Sequence, residues 1–103
     1  MADTLSRLAA TIAARRDADP ATSGVARLHA QGLPEIARKF GEEAVETTVA
    51  ALSGSNEELT AEAADALFHL LVLLDARGVP LSAVLAELDR REGTSGIAEK
   101  AAR

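Results

Sequence analysis

The chain has 103 residues, with 11 Lys plus Arg against 16 Asp plus Glu and no Cys. That length predicts one domain over residues 1–103. The formal charge of −5 argues against a nucleic-acid clamp, and the lack of Cys excludes disulfides and thiolate metal sites while fitting a reducing compartment, the cytoplasm.

Ala supplies 23 residues and Leu 14, against 6 Val and 3 Ile, a composition that favours helices over strands. Asp3 or Thr4 caps a first helix that runs to about Arg16, with Leu5, Leu8, Ala9 and Ile12 on one stripe. Asp3 and Arg7 interrupt this N-terminus, so no signal peptide is expected there. Residues 17–22, with Pro20, read as a linker. Ser23 caps a short second helix that ends at Gly32. Pro34 suits the first position of a third helix, which stops at Ser53-Gly54. Ser55 or Asn56 starts a fourth, with Glu57 and Glu58 favoured by the dipole of its first turn and Gly78 as its stop. A fifth spans about Leu81 to Glu92, and residues 94–103 form a short helix or a frayed tail. The whole predicts an all-α bundle of four to five helices.

From Leu67 to Leu74 the fourth helix is apolar on every side except at His69. Such a helix must be covered all round, and a domain of this size has few helices to do it. A monomeric bundle centred on this helix is one solution. A homodimer or higher homo-oligomer that completes the core is the preferred one. The run is too short, and too interrupted by Asp65 and His69, to span a bilayer, so no membrane partner is expected.

The third helix carries Lys39, Glu42, Glu43 and Glu46. At about 100° per residue these four share one arc of about 100°. The fourth carries Glu58, Glu62, Asp65 and His69 on a narrower stripe of about 60°. If the two helices pack antiparallel after a short turn, Glu43, Glu46, Glu62 and Asp65 converge. At about 4 Å and an effective dielectric of about 20, each like-charged pair costs on the order of 4 kcal/mol. Convergence therefore needs raised pKa values or a cation. An all-oxygen donor set suits Mg2+, with Mn2+ as the second choice, and points to phosphate-ester or phosphoanhydride chemistry. Taken alone, either set also reads as a solvated helix face with i,i+4 pairs such as Lys39–Glu43. His69 reads as a core histidine or as a partner that orients the Asp65 carboxylate. His29 reads as a surface residue, and Gly41 as a point of close approach or a tolerated weak point in its helix.

Glu42-Glu43-x-x-Glu46, followed after 15 residues by Glu62-x-x-Asp65, resembles the signature of the all-α, MazG-like nucleotide pyrophosphohydrolases. The flanking segments are more specific. Residues 39–46, residues 62–74, Ala76-Arg77-Gly78-Val79, residues 84–88 and Ser95-Gly96-Ile97-Ala98-Glu99-Lys100 resemble the phosphoribosyl-ATP pyrophosphatase family within that superfamily. The resemblance implies a helical dimer that hydrolyses a small-molecule nucleotide, phosphoribosyl-ATP, to phosphoribosyl-AMP and pyrophosphate in histidine biosynthesis. It implies that Glu43, Glu46, Glu62 and Asp65 hold Mg2+, that Glu42 is a neighbouring catalytic acid with Glu43 and Glu46, and that Lys39 contacts phosphate. Arg90 and Arg91, with Lys100 and Arg103, are candidates to meet the ribosyl phosphate, although basic residues near a helix C-terminus are favoured by its dipole in any case. The chain has Ser23-Gly24-Val25-Ala26 where the family often has Ser-Tyr-Thr-Ala, and Phe68 where Tyr is common. Adenine stacking by an aromatic is therefore poorly provided for. Two other functions share the acidic motif or the helical pattern: a house-cleaning nucleoside triphosphate pyrophosphohydrolase, and a non-catalytic dimerisation module. Without Glu42, Glu43, Glu46, Glu62 and Asp65 the chain would carry 11 acids and 11 bases, so the whole acidic excess can be assigned to the proposed site.

Overall fold

Short polar side chains start three of the five helices, and glycines close several of them. In the computed structural model, which describes residues 3–93, Asp3 Oδ1 accepts the Ser6 N–H at 2.8 Å and starts α1 (Thr4–Arg15). Ser23 Oγ accepts from Ala26 N at 3.2 Å and starts α2 (Gly24–Gln31). Gly32, at φ 90°, ends α2 and leads directly into α3 (Leu33–Ser53), where Pro34 occupies the first turn. A side chain at that φ would be strained, so the sharp α2–α3 corner needs glycine there. Ser55 Oγ accepts from Glu58 N at 3.1 Å and starts α4 (Asn56–Ala76). Gly78, at φ 74°, closes α4: Val79 N–H donates to Leu74 O at 2.9 Å and Gly78 N–H to Asp75 O at 3.0 Å. α5 (Leu81–Arg91) then turns away from α4 by 111°. No strand occurs among the described residues, and the expected all-α class holds. The expected tail helix over residues 94–103 lies outside them.

Helices α3 and α4 form the most extensive helix–helix contact. They run antiparallel. Thr47 meets Glu62, and at the turn a side chain on Gly54 would lie 2.8 Å from Glu58 Oε2 and 3.0 Å from Ala50 O. Any larger residue there would force Glu58 and the Ala50 backbone to shift. The core is Ile12 of α1, Val25 of α2, Ile36 of α3 and Leu71 and Val72 of α4. Each such side chain stabilises the fold by roughly 1.5–3 kcal/mol.

The apolar run of α4 is only partly covered. Leu71 and Val72 are buried, but Leu67 is 45% exposed. Along α3, Val45, Val49 and Leu52 are 62%, 54% and 83% exposed at helical spacing. α5 buries no residue. No single helix among the described residues is long and apolar enough to cross a membrane.

A second tie joins three helices. Asp75 of α4 accepts from Arg16 Nε and Nη2, which follows α1, at 3.0 and 2.8 Å. It also lies 2.9 Å from His29 Nε2 of α2. The other ring nitrogen of His29, Nδ1, is 3.0 Å from Val25 O. Both nitrogens thus face oxygen atoms. The His29 side chain is only 11% exposed. The sequence placed it on the surface; its partner, 46 residues away, holds it inside.

Candidate active site

The α3–α4 hairpin brings the two acidic sets together. Glu43, Glu62 and Asp65 each present a carboxylate oxygen within 4.8 Å of the other two. Glu46 lies near Glu43 and Glu62 and raises both their pKa values. Burial is the largest cause of each rise, and the charge of Asp65 adds to both. His69 acts the other way on Glu43.

Two oxygens in this cluster, Glu43 Oε2 and Glu62 Oε2, are buried and have no hydrogen-bond partner among the described residues. A buried carboxylate oxygen without a donor is unfavourable by itself. A divalent cation would satisfy both. Hard cations hold carboxylate oxygens at about 2.0–2.6 Å, so opposite ligands lie roughly 4–5 Å apart, the spread found here. The donor set contains neither sulfur nor a nitrogen ligand, which suits Mg2+ or Mn2+.

The remaining candidates are placed elsewhere. Glu42 lies on the exposed side of α3, where Arg38 Nη1 pairs with its Oε2 at 2.5 Å. The same guanidinium holds Glu35. The Lys39–Glu43 pair expected on this helix is therefore replaced by one built on the neighbouring Arg38. Lys39 is half-buried and makes no ion pair among the described residues. Arg90 and Arg91, on α5, both pair with Glu87, at 2.7 and 3.1 Å. Those two cations hold the Glu87 carboxyl down to about 2. Lys100 and Arg103 lie outside the described residues.

Three details differ from the sequence reading. His69 Nδ1 lies 2.8 Å from the backbone carbonyl of Asp65, not from its carboxylate. The ring thus ties itself to its own helix one turn back. Gly41 faces open space: a side chain there would meet nothing within 4 Å. It is not a point of close approach within the chain. Thr47 was not singled out, yet its Oγ1 lies 2.8 Å from Glu43 O and 3.0 Å from Glu62 O. Its signal was present, since it sits one turn after Glu43 on the same helix face.

The phosphoribosyl-ATP pyrophosphohydrolase family matches residues 5–92. The chain belongs to this family. The match spans all five helices and contains every residue of the acidic cluster. Individual relatives are similar over almost the whole chain. A phosphoribosyl-ATP pyrophosphatase of Erythrobacter litoralis is 69% identical over 98% of this chain and 97% of its own length. One of Rhizorhabdus wittichii is 66% identical over 100% and 97%. One of Novosphingobium aromaticivorans is 64% identical over 96% and 92%. Within the matched segment, Glu43, Glu62 and Asp65 lie together on a single helical hairpin.

Proposed function

We propose that this chain hydrolyses phosphoribosyl-ATP to phosphoribosyl-AMP and pyrophosphate, an early step of histidine biosynthesis in the cytoplasm, with Mg2+ held by Glu43, Glu46, Glu62 and Asp65. The supporting observation is the pair of buried, donorless oxygens on Glu43 and Glu62 beside Asp65, in a chain of this family. The substrate is a polyanion and the cluster is acidic, so direct attraction fails. Bound Mg2+ inverts the local sign and neutralises charge on the phosphoanhydride.

The chain's own residues do the rest. The cluster carboxylates orient a water against the α-phosphorus and take its proton as the bond to the β-phosphorus breaks. Lys39, which makes no ion pair among the described residues, contacts phosphate. Glu42 begins from a different state, because Arg38 already neutralises it. Its role as a catalytic acid requires that pair to open.

A second copy of the chain covers the exposed apolar face. Val45, Val49 and Leu52 continue the α3 surface beside Glu46, and a groove of about 410 Å³ is lined by Val45, Val49 and Glu62. An apolar stripe this exposed beside an active site is typical of a homodimer seam.

The deciding experiment measures pyrophosphate release from phosphoribosyl-ATP and from the common nucleoside triphosphates, each with Mg2+. Preference for phosphoribosyl-ATP supports the proposal. Preference for ordinary triphosphates assigns the chain to house-cleaning, and release from none of them leaves a non-catalytic dimerisation module.

A further inference from the structure

Several side-chain hydroxyls in these helices bond back to the carbonyl one turn earlier. Thr11 does so to Arg7 O, Thr48 to Ala44 O, Ser53 to Val49 O and Thr60 to Asn56 O. This is the ordinary local habit of Thr and Ser inside helices, and it carries no tertiary information. Thr47 differs. Its Oγ1 lies 2.8 Å from Glu43 O, the local partner, and 3.0 Å from Glu62 O on the facing helix. Those two carbonyls belong to the two residues whose carboxylates carry the buried, donorless oxygens. The hydroxyl is half-buried, so water does not readily replace it.

We infer that Thr47 is a positioning residue for the divalent-cation site, setting the distance between the α3 and α4 backbones at Glu43 and Glu62. The inference rests on the metal reading of the cluster. Like-charged carboxylates push the two helices apart at this level, and burial strengthens the push. Thr47 supplies an opposing tie at the same level, its one hydroxyl proton shared between the two carbonyls, through the backbone rather than the carboxylates. The carboxylates therefore stay free to ligate while their spacing is held. Outer groups of this kind typically change metal affinity by about 10- to 100-fold when removed.

The test uses the full chain and Mn2+ alone, with free Mn2+ followed by electron paramagnetic resonance. Thr47→Val keeps the side-chain shape and removes the hydroxyl; Thr47→Ser keeps the hydroxyl. Thr48→Val removes a hydroxyl that bonds only within α3. Thr47→Val should weaken Mn2+ binding by at least about 10-fold at a temperature where circular dichroism reports a folded chain. Thr47→Ser and Thr48→Val should stay within about 3-fold of the parent, well short of that range. If Thr47→Val binds Mn2+ like the parent, the positioning role is overturned and the metal reading survives. If the parent binds no Mn2+, the metal reading itself fails, and the role of Thr47 with it. Should Thr47→Val not fold, Thr47→Ser decides: a folded Ser variant with a 10-fold loss overturns the role of the hydroxyl.

Discussion

Glu43 and Glu62 meet across α3 and α4, each with a buried Oε2 that no donor among the described residues reaches. Two acids in that position destabilise the hairpin that presents them. Glu62→Gln removes one of the repelling charges while keeping shape. The variant should unfold at a higher temperature than the parent when both are metal-free. Millimolar Mn2+ should raise the parent midpoint and leave the variant unmoved, because a ligand stabilises only the state it binds. Turnover should be lost in Glu62→Gln, and likewise in Glu43→Gln and Asp65→Asn with the fold intact. Near-full activity in any of the three would remove that residue from the proposed site.

The dependence on pH follows from the same pair. The folded carboxyls of Glu43 and Glu62 lie above the usual 4.5. The folded chain therefore holds protons that the unfolded chain has released, and stability falls as pH rises through the folded values. This contribution is fully present below 4.5. Glu87 has the opposite sign: its carboxyl sits at about 2, so its contribution is present above 4.5 and lost as pH falls. Metal-free protein should reach its highest melting temperature in mildly acidic buffer, and saturating Mg2+ should shift that maximum toward neutrality. Identical melting profiles against pH with and without Mg2+ would contradict this.

Gly41→Ala tests the open face of α3. Glycine inside a helix costs about 1 kcal/mol relative to alanine, and a side chain here meets no atom within 4 Å. Urea unfolding should show a gain of about 0.5–1 kcal/mol. A loss instead would locate a neighbour outside the described residues, such as a second copy.

Asp75→Ala should cost about 2 kcal/mol in the same measurement, because it leaves the His29 ring, 11% exposed, and Arg16 without their acceptor. Arg38→Ala makes the contrast. That guanidinium is 56% exposed, and its removal should leave stability unchanged within error.

Leu52→Asp addresses the second copy. Leu52 is 83% exposed. Sedimentation should report a dimer for the parent and a monomer for the variant at equal concentration. An unchanged sedimentation coefficient would move the seam to another face.

What the sequence made legible was local. Asp3, Ser23 and Ser55 announce helix starts by residue type, and Gly32 and Gly78 announce ends, so the five helices were readable in order. The acidic cluster was readable because a short turn and a fixed helical period bring Glu43 opposite Glu62 and Asp65. Pairings between distant segments were not. Nothing in the local pattern of His29 points to Asp75, 46 residues on, or joins Arg16 to it across 59. The choice between adjacent cations was also hidden: whether Arg38 or Lys39 takes an acid depends on side-chain reach, not on spacing alone.

The cluster hangs on one hairpin, closed by the Gly54 turn, with Glu43 and Glu62 only 19 positions apart. Contacts this near in sequence cost little chain entropy to close, so the hairpin is among the earliest tertiary pairings available to the folding chain. Repulsion among its acids acts at that same moment. On the proposed reading the metal-binding acids would thereby slow folding, and a divalent cation that neutralises them would restore the rate before any substrate arrives.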